Sequence, residues 1–462
     1  VPLTSPAAAR EGNKPPHSER AVVDRCPGVL RLIEAADGYL ARVRLPGGFV
    51  TAGQLRVLAR LAGEMGDGRV ELTSRGNVQL RALAADAAAR LTSELAAAGL
   101  LPSLEHDRVR NVLASPLAGL DGGPGGDNGT DLGPVVRALD AGLCARPRLA
   151  ELSGRFLFAI DDGRGDVAGL GADVVAEVRP DGACVNGLAA GAFAARGVGP
   201  GAGLSPREDG RADAIATVML AFAEAFLDER TAHAAAVPAD GPAQGAPARG
   251  RPTQGGPTTG GTAWRIADLP GGAERVRAVV AERLGLTAAA LSGTPAAPAL
   301  AASATRPVGI VAGPAGADGG ERDGSVLDGG APAVVLLAPL GRLTVAQVSW
   351  LADHAGGRAA RVTPWRSVVL PDQADAAQVL QEAARLGFGV DASSPWLRVT
   401  ACAGQPGCAS ALADVQADAL TLAARWPGRT VHVSGCARHC GRPATTEVDM
   451  TATSEGYQVA GA

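Results

Sequence analysis

An internal repeat constrains the fold of this chain more than any other feature of its sequence. Residues 48–59 read GFVTAGQLRVLA and residues 341–352 read GRLTVAQVSWLA, so the two segments share Gly, Thr, Gln, Leu and Ala in register. The match resumes where Leu72-Thr73 corresponds to Val362-Thr363. Similar segments at two distant places are expected to form the same local structure, so the chain should contain two copies of one unit.

Each copy has the pattern of a strand, a helix, two strands and a second helix. Alternation of apolar residues predicts a strand at 39–45, and apolar residues at helical spacing follow a predicted N-cap at Thr51. The second copy repeats this with a strand at 334–338 and a helix at 344–354. This β-α-β-β-α order is that of a ferredoxin-like half-domain. We therefore predict two such half-domains, residues 25–100 and 332–390, paired around a pseudo-twofold axis.

Four of the seven cysteines are clustered near the end of the sequence. They are spaced as Cys402-x5-Cys408 and Cys436-x3-Cys440. The flanking pattern predicts a strand at 396–401, a helix at 409–425 and a parallel strand at 430–434, with Cys408 at the first turn of the helix. Both cysteine pairs would then leave the same edge of a sheet.

Four converging thiolates bind soft metals, and they are the ligands of a [4Fe–4S] cluster. Structural zinc usually takes cysteine pairs two to four residues apart, which these spacings fit poorly. A zinc site and a chance grouping of thiols remain the alternatives. The isolated Cys26, Cys144 and Cys184 are interpreted as small core residues.

The other segments complete a mixed α+β architecture. Residues 101–233 are predicted to form a first larger α/β domain, and residues 391–462 a cysteine-bearing α/β segment. Residues 234–262 are rich in Pro, Gly, Ala and Thr without apolar periodicity, which is typical of a flexible linker. Residues 263–331 are interpreted as a connecting segment with a Gly-rich break at 313–331.

Charge and hydropathy exclude several classes of partner. The net charge of −4 and the pI near 5.9 argue against a broad nucleic-acid surface, which would be basic. The sequence contains no run of eighteen apolar residues, which a membrane span would require. Residues 1–16 lack the apolar core of a signal peptide. The sequence therefore predicts a cytoplasmic protein.

Four motifs together resemble the sirohaem sulfite/nitrite reductase family. They are VRLPGG at 43–48, LTSRGNVQLR at 72–81, RVRNVL at 108–113 and SGCARHCGRP at 434–443. The resemblance spans roughly residues 25–230 and 330–445. It implies two ferredoxin-like halves and two larger α/β segments of the sulfite/nitrite reductase type around a tetrapyrrole. It also implies that Cys440 bridges the cluster to the sirohaem iron, and that Arg44 and Arg110 bind anions.

One segment departs from the reductase pattern. Where reductases have Lys-Phe-Lys, this chain has Arg155-Phe156-Leu157, so the second cation is absent. That departure resembles the precorrin-3B synthase branch of the family. The resemblance implies precorrin-3A and O2 as substrates, hydroxylation at C-20 with lactone formation, an electron donor (NAD(P)H-linked or ferredoxin), and an additional mononuclear non-haem iron. The iron's ligands stay unassigned among six candidates: His106, Asp107, Asp161, Asp162, His432 and His439.

A tetrapyrrole with many carboxylates needs several cations, and arginine binds carboxylates in bidentate fashion. The predicted substrate-binding set is Arg44, Arg75, Arg81, Arg110 and Arg155. A solvated surface position is an equally good interpretation of Arg81. Two other functions remain open: a sirohaem-dependent sulfite or nitrite reductase, and a non-catalytic protein that carries a tetrapyrrole.

Overall fold

The computed structural model describes residue 24 and residues 26–122, 130–179, 182–189, 208–236, 263–285, 307–313 and 331–461. No helix within these ranges is both long and apolar enough to cross a membrane. The predicted mixed fold is confirmed, because helices pack against four separate β-sheets.

The elements up to residue 97 form the first half-domain. They are β1 (Ile33–Ala35), β2 (Gly38–Val43), β3 (Phe49–Val50), α1 (Ala52–Met65), β4 (Arg69–Leu72), β5 (Val78–Leu83) and α2 (Ala87–Ala97). The first larger segment follows, with β6 (Val112–Ala114), α3 (Gly133–Cys144), β7 (Phe158–Asp161), β8 (Val174–Arg179), β9 (Gly182–Val185), β10 (Leu188–Ala189) and α4 (Glu208–Ala236). Helix α5 (Gly272–Arg283) then packs against α4.

The second half-domain repeats the first. It contains β11 (Gly309–Val311), β12 (Ala333–Leu337), β13 (Arg342–Thr344), α6 (Val345–His354), β14 (Ala360–Val362), β15 (Ser367–Leu370) and α7 (Ala376–Arg385). The final segment contains β16 (Val399–Ala401), α8 (Val415–Ala423), β17 (Val431–Ser434), β18 (Val448–Thr453) and β19 (Gly456–Ala460).

Local hydrogen bonds confirm that the half-domains are structural repeats. Thr51 and Thr344 each form a capping box, with Gln54 and Gln347 as the respective partners. The Gln54 side chain also donates to the Ala98 carbonyl at 3.2 Å, and that of Gln347 donates to the Leu386 carbonyl at 3.0 Å. The capped helices α1 and α6 pack against each other.

Each half-domain lends one strand to the other. The first sheet has the order β1-β2-β5-β4-β13, and the second has the order β11-β12-β15-β14-β3. Strand β13 therefore pairs with β4 of the first half, and β3 pairs with β14 of the second, both antiparallel. The two sheets and helices α1 and α6 enclose one continuous apolar core.

The repeat extends beyond the half-domains, which the sequence did not reveal. Strands β6, β7 and β8 are parallel and β9 is antiparallel to β8, while β16 to β19 pair in the same way. The Ser115 amide donates to the Ile160 carbonyl at 3.0 Å, as the Cys402 amide does to the Val433 carbonyl. Ser115 and Cys402 thus occupy equivalent positions, and the two larger segments are also copies of one unit.

Three predicted boundaries were wrong. The predicted strand at 396–401 is only Val399–Ala401, because Pro395–Leu397 form a 3-10 turn. The predicted linker at 234–262 begins too early, since residues 234–236 are the last turn of α4. Its remaining residues, 237–262, and most of the Gly-rich break at 313–331 lie outside the described residues. The predicted helix at 409–425 also begins too early, since α8 starts at Val415.

Candidate functional site

The cysteine site lies at the carboxyl ends of β16 and β17. These strands are parallel, as predicted, so Cys402 follows one strand and Cys436 follows its neighbour. The Gly435 amide donates to the Cys402 sulfur at 3.1 Å, and the Gln416 side chain donates to the Cys402 carbonyl at 3.1 Å. A Cβ at residue 435 would lie 2.6 Å from Ala411, so only glycine fits between the two cysteine loops.

The four thiols lie close together. Burial raises the pKa of Cys440, and repulsion by Cys402, Cys436 and Cys408 raises it further. Zn–S bonds of about 2.3 Å in a tetrahedron would hold the sulfur atoms about 3.8 Å apart. Within the described residues, three or more potential ligand atoms lie within 4.8 Å of one another only in a group of aspartates. The four thiols do not form such a group. The thiols are therefore more widely spaced than zinc requires, and this donor set fits an iron–sulfur cluster better.

Cys408 does not open a helix. The predicted helix at 409–425 begins only at Val415, because the Asp414 side chain caps it by accepting from the amides of Gln416 and Ala417. Residues 403–413 form a loop, in which the Gln405 side chain donates to the Ala411 carbonyl. The prediction that Cys408 lies at the first turn of the helix is therefore wrong.

Arg81 anchors the loop that carries Cys408. Its guanidinium pairs with both oxygens of Asp37 at 3.0 Å and donates to the Gly407 carbonyl at 2.7 Å. The Arg81 residue is 8% exposed, so the interpretation as a solvated surface side chain was wrong. Its charge is already neutralised by Asp37, which favours a role in positioning the loop over a role in binding an anion.

Arg44 is a deeply buried cation with spare hydrogen-bonding capacity. It is 2% exposed, and its guanidinium donates to the carbonyls of Pro27 and Arg108. Its Nη1 atom has no partner within the described residues. Burial and then the charge of Arg42 lower the pKa of Arg44 to about 9. An orphaned buried donor is costly, so this position is suited to an incoming acceptor.

Arg75 belongs to the same electrostatic cluster. Burial and the charges of Arg265 and Arg155 lower its pKa, and its side chain donates to the Gly154 carbonyl at 3.1 Å. Arg155 is exposed and stacks on Trp264 at 4.0 Å from the ring centroid. The structure thus brings Arg44, Arg75 and Arg155 into one region.

Arg110 is committed elsewhere. Its guanidinium pairs with both oxygens of Asp140 at 2.7 Å and donates to the Leu100 carbonyl at 3.0 Å. It is 3% exposed and does not contribute to the shifts of Arg44 or Arg75. In this structure its role is to tie the loop before β6 to helix α3.

Sequence reasoning missed two members of this region. Arg42 donates to the Gln79 side chain and adds to the charge around Arg44 and Arg75. Cys26 is not an ordinary core residue, because its thiol lies near both Arg44 and Arg75. For Arg42 the available signal was its position two residues before Arg44, on the same face of β2.

The six candidate iron ligands do not form one group. His106 is held by Ser103 and the Arg146 carbonyl, Asp107 accepts from the amides of Val29 and Leu30, and His432 is buried against Thr400. His439 lies 3.0 Å from Asp449 beside the cysteine site. Asp161, Asp162 and Asp166 do cluster, but Asp161 accepts four backbone amides and Asp162 pairs with Arg164. Those carboxylates therefore already have partners.

A polar cavity of about 260 Å³ adjoins the cysteine loop. Its lining includes Gly441 and Pro443 together with Ser74 and Arg366. Ser74 precedes Arg75, so this cavity brings the turn that carries Arg75 close to the segment that follows Cys440.

Comparison with known families agrees with this architecture. Residues 33–98 match the family described as nitrite/sulfite reductase ferredoxin-like half domain. The NirA protein of Mycobacterium tuberculosis has a similar structure, with a TM-score of 0.60 and 19% identity, covering 91% of this chain and 74% of that protein. At that identity the likeness concerns the fold.

Sequence relatives narrow the assignment. A precorrin-3B synthase of Sinorhizobium sp is 28% identical over 448 residues, which are 94% of this chain and 81% of the relative. A ferredoxin–nitrite reductase of Synechococcus elongatus is 32% identical over 128 residues, which are 27% of this chain and 25% of the relative. Over most of its length this chain is therefore similar to a precorrin-3B synthase, and its first half-domain matches the nitrite/sulfite reductase family.

Proposed function

We propose that this protein is a monooxygenase that converts precorrin-3A to precorrin-3B with O2. The reaction would hydroxylate the macrocycle at C-20 and form a lactone from an acetate side chain, as in aerobic cobalamin biosynthesis. One oxygen atom would enter the product and the other would leave as water, with two electrons from an NAD(P)H-linked or ferredoxin donor. A reducing cytoplasm would suit a protein with so many free thiols.

One observation carries this proposal: Arg42 and Arg44 of the first copy of the repeat have uncharged counterparts in the second copy. Strand pairing makes Arg42 equivalent to Val335. Arg42 pairs with Gln79, six residues after Thr73, and Val335 pairs with Val369, six residues after Thr363. By the same register Arg44 is equivalent to Leu337. The first copy has therefore acquired a cationic site that the second copy lacks.

The equivalence continues at the turns. The Gly76 amide bonds to the Thr73 carbonyl and the Arg366 amide bonds to the Thr363 carbonyl, with φ of 63° and 62° respectively. Arg75 is therefore equivalent to Trp365. The cationic cluster lies in the first half-domain and the cysteines lie in the final segment of the chain. Ser74 and Gly441 nevertheless line one cavity. The cationic cluster and the cysteine site are thus neighbours.

Carboxylates of the macrocycle would bind to the arginines that retain free donors. Arg75 makes one backbone hydrogen bond, and Arg155 is held mainly by stacking on Trp264. Arg44 offers its unpartnered Nη1 from a buried position. Charge-assisted hydrogen bonds of this kind orient a carboxylate as well as hold it.

Leu157 favours a neutral second substrate. It is 3% exposed and packs in an apolar cluster with Leu113, Ala159 and Val167. A lysine here would bury a charge within that cluster, at a cost of several kcal/mol. The oxyanion cradle of a reductase is therefore incomplete, whereas uncharged O2 needs no such cation.

The cluster's contribution is electron transfer, and Cys402, Cys408, Cys436 and Cys440 are the residues that would hold it. Arg81 and Gly435 keep the two ligand loops in place through the contacts with Gly407 and Cys402. The chain's other contribution is to bind the macrocycle beside the cluster through arginines.

The fold itself supports a second candidate, a sirohaem-dependent sulfite or nitrite reductase. The structural match to NirA covers most of the chain, so the cysteine and arginine positions alone do not separate the two functions. The visible spectrum of the purified protein discriminates between them, because sirohaem adds strong bands that a cluster alone lacks.

The deciding experiment is turnover of precorrin-3A under ¹⁸O₂ with mass analysis of the product. We expect one labelled oxygen in the macrocycle and slow reduction of sulfite and nitrite. An unlabelled product, or co-purified sirohaem with fast sulfite reduction, would replace the monooxygenase by the reductase.

A further inference from the structure

A second cavity, of about 350 Å³, lies on the opposite side of the pseudo-twofold axis from the cationic cluster. Val335, Leu337, Trp365 and Val369 line it, and these are the counterparts of Arg42, Arg44, Arg75 and Gln79. The far wall includes Asp166, which lies in the segment equivalent to the cysteine loops. This cavity is therefore the symmetry-related copy of the proposed tetrapyrrole site.

In this cavity the positions equivalent to the cationic cluster carry apolar and aromatic side chains. Three cations and an amide of the first copy are replaced by two valines, a leucine and a tryptophan, and a second indole, Trp396, also lines the cavity. A volume of about 350 Å³ falls in the range of small-molecule sites. The space suits one small planar ring system.

Arg366 supplies a single positive charge to the cavity. Its counterpart in the first copy is Gly76, so this cation is new to the second copy. Its side chain lies across Gly341, where a Cβ would come within 2.5 Å of Arg366 Cδ. Within the described part of the chain the guanidinium has neither an ion pair nor a hydrogen bond, and burial lowers its pKa.

The other charged groups of the lining are already paired. Arg164 pairs with Asp121 at 2.8 Å and with Asp162 at 2.7 Å. Asp166 accepts a hydrogen bond from Ser115 at 2.6 Å, and burial raises its pKa to about 7. Arg366 is therefore the group that an entering anion would meet without first breaking a salt bridge.

From this arrangement we infer that the chain has a second ligand site, between Trp365, Trp396 and Arg366, for a planar aromatic molecule with one anionic group. The ring would occupy the apolar space between the indoles and aliphatic walls. The anionic group would bind Arg366. The residues of this site are distinct from Arg44, Arg75 and Arg155, although Trp365 and Arg366 also line the cavity beside Gly441.

The probe for this site is 1-anilinonaphthalene-8-sulfonate, a fluorescent aromatic ring system with one sulfonate. In the full-length protein with its cluster intact we expect one saturable site. Arg366→Gln should weaken it about tenfold or more, which is the usual worth of a buried charged contact. Arg398→Gln, which removes an exposed cation of the neighbouring polar cavity, should leave the affinity unchanged.

Two further measurements separate recognition of charge from damage to the cavity. The uncharged analogue N-phenyl-1-naphthylamine should bind wild type and Arg366→Gln equally. Leu337→Trp, which fills the apolar space, should weaken both probes, with iron content and circular dichroism as checks of folding. The inference is overturned if wild type binds neither probe, or if Arg366→Gln binds the sulfonate as wild type does.

Discussion

Arg81 of the first half-domain donates a 2.7 Å hydrogen bond to the carbonyl of Gly407, the residue that precedes Cys408. The contact joins two positions 326 residues apart in the chain. It connects β5, the strand after the Arg75 turn, directly to the loop that carries Cys408. A substitution at Arg81 should therefore alter the position of that loop.

The first prediction concerns this contact. Arg81→Leu should lower the iron and sulfide content of the purified protein, because the loop that holds Cys408 loses its anchor and Asp37 is left half-buried without its partner. Arg69→Gln, an exposed change on the neighbouring strand, is the matched control. Full cluster content in the Arg81 variant would show that the loop is held without it.

The cysteines themselves give the second prediction. Serine at Cys402, Cys408, Cys436 or Cys440 should abolish the iron–sulfur absorbance and destabilise β16–β19, because cluster binding and loop folding are coupled. Cys184→Ser, far along the chain in β9, should retain both. Equal iron and sulfide in all four variants and the control would disprove the assignment.

The third prediction uses the repeat to choose a substitution. Arg44→Leu installs the residue found at the equivalent position, Leu337. It should weaken anaerobic binding of precorrin-3A by about 1–3 kcal/mol, the worth of a charged hydrogen bond. Binding is measured by absorbance titration, with Arg56→Leu, an exposed member of a surface ion pair, as the control. Equal affinity in both variants would place the carboxylates elsewhere.

A fourth prediction concerns pH. Burial raises the pKa of Asp166 to about 7 from an ordinary 3.8, so the folded chain holds this proton more tightly than the unfolded chain does. Its contribution to stability is therefore full below pH 4 and is lost as the pH rises to 7, by at most about 1.4 kcal/mol per pH unit.

Asp166→Asn removes that contribution. Between pH 4 and pH 7, urea unfolding should show that the unfolding free energy of wild type falls relative to that of Asp166→Asn. The exposed Asp86→Asn should show no such shift. A constant difference across this range would mean that Asp166 is not perturbed.

The fifth prediction comes from the sequence. Deletion of residues 240–259, which contain no apolar pattern, should leave solubility and cluster absorbance unchanged, because loop length changes closure entropy only slowly. The cut avoids the last turn of α4 at Ala236. An insoluble deletion variant would show that the segment packs.

The features predicted correctly from the sequence are those determined by residues close together in the chain. Thr51 and Thr344 are N-caps whose partners lie three residues away, so the pattern alone was enough. The cysteine spacing likewise predicted that both cysteine pairs follow neighbouring parallel strands, and β16 and β17 are parallel. The start of α8 was missed because Asp414 competes as a cap within an otherwise helical pattern, and propensity does not resolve such a choice.

Other features depend on contacts that no local pattern carries. The equivalence of Ser115 and Cys402 rests on backbone hydrogen bonds, while the side chains have diverged completely. Whether an arginine binds substrate or a neighbouring carboxylate is also decided in three dimensions. Arg44 has a free donor and Arg110 has Asp140, although both lie in motifs of the same family.

Because β3 and β13 are exchanged between the half-domains, the two half-domains are interlocked and are not independent folding units. Each sheet is completed by a strand that the other half supplies. A protease cut between residues 237 and 262 would therefore yield two fragments that stay together, because separation exposes the edges of β4 and β14 and the apolar faces of α1 and α6. The two fragments would stay associated without an intact peptide bond in that segment, whereas either half expressed alone would lack a strand.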